Sequence, residues 1–131
     1  ANYVPYVKSN KLIFVSGQIP MLNGELVTGK IGKNIEIEDA KTAARLCGLA
    51  IVSQLNEATD LDLDKIKRIV KLGGFVNCID EFTQQPEIIN GASDLMVEVF
   101  GDKGKHSRFA VGTNSLPRNV VVEIEAVAEI H

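Results

Sequence analysis

The C-terminal segment VVVEIEAVAEI, residues 120–130, alternates between two kinds of position over a length that indicates one long β-strand. One set of positions is entirely apolar: Val120, Val122, Ile124, Ala126, Ala128 and Ile130. The other set is mixed: Val121, Glu123, Glu125, Val127 and Glu129. Because alternate side chains of a strand point to opposite faces of a sheet, the apolar set must be covered by other elements of the chain. The mixed face is then either wetted by solvent or partly buried against another subunit.

Four further segments are predicted to be strands from their β-branched and aromatic residues or their turn signals: 11–17, 25–28, 64–78 and 107–113. Asn23-Gly24, the strongest hairpin-turn dipeptide, precedes the second of them. Gly73-Gly74 in the third predicts a bulge or the close approach of another backbone.

Two segments change to helical spacing. In residues 35–58 the small and apolar positions form one stripe: Ala40, Ala43, Ala44, Cys47, Ala50, Ile51, Leu55 and Ala58. Residues 83–101 have Pro86 in the first turn and Gly101 as the stop. The apolar side of this second helix is Ile89, Ala92, Met96, Val99 and Phe100. Small residues on the first helix let it pack closely on a sheet.

The resulting order of elements is ββ-β-α-β-α-β-β or close to it. It predicts an α+β fold, a two-layer sandwich with a mixed β-sheet and two helices on one face. The 131 residues fit one domain, residues 1–131, with a single modest core.

Charge and composition exclude several classes of function. The net charge is −3 and no basic run exceeds KIKR at 65–68, which disfavours a nucleic-acid partner. The possible soft metal ligands are scattered, at Cys47, Cys78, His106 and His131, so we do not expect a metal site. No membrane-length apolar run and no signal-peptide pattern occurs, so a cytoplasmic protein without a membrane partner is expected.

Arg108 and Glu123 are the charged residues most suited to chemistry. If Phe109 and Val111 face the core, Arg108 points to the same side of the sheet as Glu123. An arginine binds a carboxylate bidentately, and a partly desolvated glutamate can deprotonate water. An ordinary cross-strand ion pair would use the same two residues.

Other candidates are weak individually. Ser16 and Gly17 follow a strand and offer a hydroxyl and backbone N–H groups, as any strand-ending turn does. Tyr6 lies near the N-terminus, where a surface anchor is usual, and Asn90 lies near a helix start. His106 is expected to be a solvated residue at a strand edge.

Together these residues resemble the RidA/YjgF family, also described as endoribonuclease L-PSP-like, over nearly the whole chain. The similar segments are VPY at 4–6, FVSGQIP at 14–20, IVKLGGFV at 69–76 and Asn90. The most specific is the spacing R-x8-P-x5-E-x-E-A formed by Arg108, Pro117, Glu123, Glu125 and Ala126.

The resemblance implies a chorismate-mutase-like fold and a homotrimer with clefts between neighbouring subunits. It implies hydrolytic deamination of enamine and imine intermediates, such as 2-aminoacrylate, to 2-keto acids and ammonia, without a cofactor. By the resemblance, Arg108 holds the substrate carboxylate and Glu123 activates water. Further residues are assigned to substrate binding: Ser16, Gly17, Tyr6, Asn90 and Ala110.

Two residues depart from the family pattern. Where the archetypal deaminases have cysteine two residues after the arginine, this chain has Ala110, and Phe109 replaces a smaller residue. Alanine is tolerable if only the backbone carbonyl is needed. The departures leave open an alternative function, a non-catalytic trimeric binder or sensor of small carboxylate metabolites. RNA cleavage, attached to some relatives, is disfavoured by the acidic charge.

Overall fold

The computed structural model describes residues 2–131 and has two layers, a sheet and a pair of helices. The helices are α1 (Ile37–Ala58) and α2 (Gln85–Phe100). The strands are β1 (Tyr6–Ser9), β2 (Leu12–Gln18), β3 (Met21–Leu22), β4 (Glu25–Leu26), β5 (Ile66–Asn77), β6 (Ser107–Thr113) and β7 (Val122–Ile130). Short 3₁₀ turns lie at Leu63–Lys65, Gly101–Gly104 and Pro117–Asn119.

The main sheet has the strand order β1-β2-β7-β5-β6. All its pairs are antiparallel except β5 with β6, which is parallel, so the sheet is mixed. Both helices lie on one face, which confirms the predicted α+β sandwich. The strands β3 and β4 form a separate ribbon whose turn has Asn23 at φ 53° and Gly24 at φ 81°, as a tight hairpin requires.

The last strand, β7, is the centre of the sheet. Its apolar set packs under the helices, and Val122, Ile124 and Ala128 are fully buried. The alternation therefore correctly predicts which face of β7 is covered. Val121, which precedes the strand, is the exception in the mixed set because it is also fully buried.

The two helices approach each other closely through small residues. A β-carbon on Gly91 of α2 would lie 2.2 Å from the backbone oxygen of Lys41 on α1. The predicted stripe of α1 is buried except at Ala50, and Gly48 joins it. On α2 the prediction for Val99 is wrong, since that side chain is exposed. Ile88 and Leu95 are buried in addition to the predicted residues.

Gly73 and Gly74 admit close neighbours on both sides of β5, but these neighbours are side chains and not the backbone that the sequence predicts. A β-carbon on Gly73 would meet the ring of Phe109 at 2.6 Å, and one on Gly74 would meet Cδ1 of Ile89 at 2.6 Å. The register of β5 shifts elsewhere, near Ile66 and Ile69. Within residues 2–131, neither helix has the length and apolarity needed to cross a membrane.

Candidate functional site

The side chain of Arg108 lies on the helix side of the sheet, against α2. Its Nη1 donates to Oγ of Ser93 at 3.0 Å, and its Nη2 donates to the backbone carbonyl of Pro86 at 3.2 Å. Glu123 lies on the opposite, open face of the sheet, because it alternates with the buried Val122 and Ile124. The expectation that Arg108 and Glu123 share a face is therefore wrong.

The difference arises from Phe109, which lies on the open face and not in the core. Its ring packs edge-on against Phe75, with centroids 5.3 Å apart, and Nζ of Lys71 is 5.3 Å from its centroid. Val111 is exposed on the same face. Since neighbours along a strand alternate, Arg108 and Ala110 are turned towards α2. Of the two departures from the family pattern, only Ala110 is on the face of Arg108.

The guanidinium of Arg108 is half-buried and has no acidic partner within residues 2–131. The ion pairs of this part of the chain join Arg45 to Glu98, Lys65 to Asp60 and Lys105 to Asp102. Both groups that accept hydrogen bonds from Arg108 are neutral, so its positive charge is not compensated. Two of its five N–H groups are used, which leaves three for an anion.

Asn90 and Ala110 lie beside Arg108. Asn90 is four residues after Pro86 and three before Ser93 on α2, so the three residues form one stripe of the helix. Ala110 follows on the same face of β6 and packs against the core. Further along this face, Gly112 borders a cleft of about 350 Å³.

His106 completes the surroundings of Arg108, and the expectation that it is a solvated residue at a strand edge is wrong. It is half-buried, with Nε2 2.9 Å from Oγ of Ser93 and Nδ1 2.6 Å from the carbonyl oxygen of Gly104. The only hints in the sequence are that His106 precedes Arg108 by two residues and that Ser93 is one helical turn after Asn90. The arginine cluster is defined as Asn90, Ser93, His106, Arg108 and Ala110.

A second group, the glutamate cluster, consists of Ser16, Gly17 and Glu123. A β-carbon on Gly17 would lie 2.3 Å from Oε2 of Glu123, so the carboxylate rests directly against this glycine. The hydroxyl of Ser16 donates to the carbonyl of Val4 at 2.7 Å. Tyr6, in contrast, begins β1, pairs with Val15 and packs against the core on the helix side of the sheet, so it is more than a surface anchor but is not brought to Glu123. The cluster borders a cleft of about 520 Å³ lined by Ser16 and Gly17.

The carboxyl of Glu123 has an altered acidity. Burial raises its pKa above the ordinary value of 4.5, and the charge of Glu125 raises it further. A carboxylate with a raised pKa accepts a proton from water more readily near neutral pH. Burial, with a contribution from the charge of Glu123, also raises the pKa of the Cys47 thiol, which makes Cys47 an inert core residue.

The two clusters are separated within one chain. Arg108 is level with Leu72 and Ala126, whereas Glu123 is three residues further along and its strand β7 is two positions away from β6. Strand spacings of about 4.8 Å and a rise of about 3.3 Å per residue put the two Cα atoms about 14 Å apart. Their side chains also leave opposite faces of the sheet. One copy of the chain therefore cannot use both residues on one small molecule.

The open face of the sheet is apolar as well as charged. Around Glu123 and Glu125 it presents six exposed or half-buried apolar side chains: Val7, Phe14, Phe75, Phe109, Val111 and Val127. A sheet face with this many exposed apolar side chains is typical of an interaction surface. Among residues 2–131, no three His, Cys, Asp or Glu side chains are grouped to hold a metal ion.

Comparisons with known proteins agree with this architecture. The family model described as "YjgF/chorismate mutase-like, putative endoribonuclease" matches residues 1–130. Protein TCP17 of Trypanosoma cruzi is 45% identical, over 99% of this chain and 82% of its own length.

Two solved structures are similar. Atu1372 of Agrobacterium tumefaciens, a protein with unknown function, is 48% identical with a TM-score of 0.97, over 100% of this chain and 83% of its own. E. coli TdcF, solved with bound serine, is 26% identical with a TM-score of 0.67, over 100% of this chain and 90% of its own. Because the family model matches almost every residue and the two-layer fold agrees with it, this chain belongs to the YjgF/chorismate mutase-like family.

Proposed function

We propose that this chain is a hydrolytic deaminase that converts enamine and imine intermediates of the 2-aminoacrylate type to 2-keto acids and ammonia. The observation that carries the proposal is the half-buried Arg108, which is held by two neutral groups and has no acidic partner within residues 2–131. A fixed, uncompensated guanidinium with free N–H groups is a binding site for a carboxylate.

The ligand of a relative supports the same chemistry. E. coli TdcF was solved with bound serine, which carries an α-carboxylate as the proposed substrates do. In this chain Arg108 binds the carboxylate, and Asn90 lies on the neighbouring helical stripe as a further polar contact. Ala110 lies on the same strand face and contributes its backbone.

The reaction moves both protons of water to the substrate nitrogen. The enamine first tautomerises to an imine as one proton passes from nitrogen to the terminal carbon. Water then adds to the imine carbon while Glu123 accepts one of its protons and passes it to the nitrogen, which gives a carbinolamine. Glu123 next takes the hydroxyl proton and delivers it to the nitrogen as the C–N bond breaks, so the carbonyl forms and ammonia leaves. Glu123 suits the role of base because burial raises its pKa, and no cofactor is required by this sequence of steps.

The site is proposed to lie between subunits, because the two clusters are about 14 Å apart on opposite faces of one chain. A second copy whose open apolar face packs against the β6 edge of the first would bring its glutamate cluster, Ser16, Gly17 and Glu123, to the arginine cluster of the first. A homotrimer, the assembly that the family resemblance implies, would contain three such sites.

A second candidate function is a non-catalytic binder of small carboxylate metabolites. It is favoured by the fact that the arginine cluster is complete within one chain, whereas the carboxylate of Glu123 is remote from it. Under this alternative, keto acids bind and stabilise the protein without turnover.

The deciding experiment is ammonia release from 2-aminoacrylate generated in situ by a PLP-dependent dehydratase. We expect the wild type to accelerate hydrolysis over buffer, Arg108→Ala to raise KM strongly, and Glu123→Gln to lower kcat. Arg45→Ala is the matched control, since Arg45 is an exposed arginine paired with Glu98, and its kinetics should equal those of the wild type. Wild-type protein without acceleration contradicts the deaminase. If the same protein is stabilised by 2-oxobutanoate and Arg108→Ala is not, the binder is correct.

A further inference from the structure

A chain of hydrogen bonds leads from the backbone to the guanidinium of Arg108. His106 lies between the carbonyl of Gly104 and the hydroxyl of Ser93, and Ser93 lies between His106 and Arg108. Neither Ser93 nor His106 has a role in the reaction steps proposed above. The hydrogen-bonded chain is short, and each donor–acceptor distance in it is between 2.6 and 3.0 Å.

The direction of every bond follows from the chemistry of its ends. Arg108 can only donate, so Oγ of Ser93 accepts its N–H. The carbonyl of Gly104 can only accept, so Nδ1 of His106 carries the proton and donates to it. Nε2 of a neutral His106 is then an acceptor, and it receives the hydroxyl hydrogen of Ser93. All the donors and acceptors in the chain are therefore matched.

The hydrogen-bonded chain starts at the carbonyl of Gly104, which is fixed in place. Gly104 is buried at the end of the 3₁₀ turn after α2, and a β-carbon on it would lie 2.1 Å from the backbone oxygen of Met96. The turn is thus pressed against the backbone of α2, and its carbonyl cannot move freely. A histidine anchored on this carbonyl has its Nε2 at a defined place.

The orientation of the Ser93 hydroxyl matters for Arg108. A free hydroxyl can rotate, and only when its hydrogen points away does its oxygen present lone pairs to the guanidinium. His106 holds the hydrogen away. With Ser93 and Pro86 both accepting, the long side chain of Arg108 is held in one orientation by neutral partners that leave its charge available.

We propose that Ser93 and His106 are positioning residues that orient Arg108 and thereby set the affinity of the site for the substrate carboxylate. The inference rests on the proposed function, in which Arg108 binds that carboxylate. Neither residue touches the substrate. A carboxylate contact is present in both the bound substrate and the transition state, so its loss raises KM and leaves kcat nearly unchanged.

The competing role for His106 is purely structural, as a tie that closes the turn through Gly104. Two substitutions separate the roles. In His106→Asn the side-chain amide reaches the position of Nδ1 and can keep the bond to Gly104, but nothing remains at Nε2. In His106→Gln the longer side chain places an oxygen acceptor near the position of Nε2, so Ser93 keeps its partner.

The kinetic test compares these variants in the ammonia-release assay with 2-aminoacrylate. We expect Ser93→Ala to raise KM about tenfold, the effect of losing one hydrogen bond to a charged group, with kcat within about twofold. His106→Asn frees the Ser93 hydroxyl but leaves its oxygen in place, so it should raise KM by a smaller factor, about threefold, with kcat again within about twofold. His106→Gln should stay within about twofold of the wild type in both constants. Lys105→Ala, which removes the neighbouring exposed cation, is the control and should change neither. Equal KM values for the Asn and Gln variants, or a wild-type KM in Ser93→Ala, overturn the proposal.

A second measurement is independent of activity. The chain has two histidines, so long-range ¹H–¹⁵N NMR spectra of the imidazole rings can be assigned with His131 as the exposed internal reference. In its neutral form, His106 is expected to carry its proton on Nδ1. Protonation at Nε2 overturns the proposal even if the enzyme is active. If the wild type neither turns over 2-aminoacrylate nor binds 2-oxobutanoate, the proposed function fails, and the ring spectrum still decides whether the hydrogen-bonded chain exists.

Discussion

Replacement of Gly17 by alanine is expected to remove most of the proposed deaminase activity while the fold stays intact. A β-carbon at this position would lie 2.3 Å from Oε2 of Glu123 and 3.1 Å from its Cδ. Ordinary van der Waals contact begins at about 3.4 Å, so the carboxylate must move by about 1 Å. Because Oε2 is the end of a flexible side chain, Glu123 can rotate away without a shift of the backbone.

The expected change in stability is small because two contributions oppose each other. Gly17 does not have a positive φ, so alanine adopts the native backbone and stabilises the protein by about 0.4–1 kcal/mol through the unfolded chain. A strained side-chain rotamer of Glu123 costs about 0.5–1.5 kcal/mol. The net change in the free energy of unfolding is therefore within about 1 kcal/mol. In contrast, a 1 Å displacement of a group that acts on the substrate costs about 100-fold in rate.

The assay is a double-mutant cycle on kcat for 2-aminoacrylate hydrolysis, with Gly17→Ala, Glu123→Gln and the double variant, and with urea midpoints as the control for folding. If alanine acts only by displacing Glu123, it causes no further loss once the carboxylate is gone. A Gly17→Ala protein with wild-type kcat would refute the role of Glu123 as the base. A full additional loss in the Glu123→Gln background would show that position 17 acts through another group.

Further predictions concern stability and assembly. Because the folded protein raises the pKa of Glu123, it binds the proton more tightly than the unfolded chain, so the contribution of this group to stability falls as pH rises above about 4.5. We therefore expect urea denaturation at pH 4, 6 and 8 to show that Glu123→Gln becomes more stable relative to the wild type as the pH rises. A difference in the free energy of unfolding that is the same at all three pH values would contradict the raised pKa of Glu123. In the same assay, Gly91→Ala should lower the free energy of unfolding by about 2 kcal/mol, because the added β-carbon meets a backbone oxygen of α1 that cannot rotate away. Ser53→Ala, on the exposed side of α1, is the control and should leave the stability unchanged. Val111→Asp on the open face should yield folded monomers in light scattering, and an unchanged mass would exclude that face from the interface.

Much of the fold follows from local patterns in the sequence. The alternation in residues 120–130 correctly predicts the buried side of β7, and helical spacing correctly predicts α1 to within two residues of its start. These predictions succeed because the backbone geometry of a strand or helix converts spacing along the chain directly into faces.

Such local patterns do not predict the orientation of β6. Alternation shows that Arg108 and Phe109 lie on opposite faces of the strand, but it does not show which face meets the helices. Hydrophobicity favours Phe109 in the core, and that choice is wrong because the open face of the sheet is itself apolar. Gly73, which leaves room for the Phe109 ring on that face, is on a different strand.

The sequence by itself determined the family resemblance, the two-layer architecture and the importance of Arg108 and Glu123 as residues to test. Only the tertiary structure decided that Arg108 lies against α2, that Ser93 and His106 hold it, and that Glu123 is on the other side of the sheet. The physical reason is that strand and helix periods relate residues within one element. The partners of a side chain are set by packing between elements, which joins positions far apart in the chain.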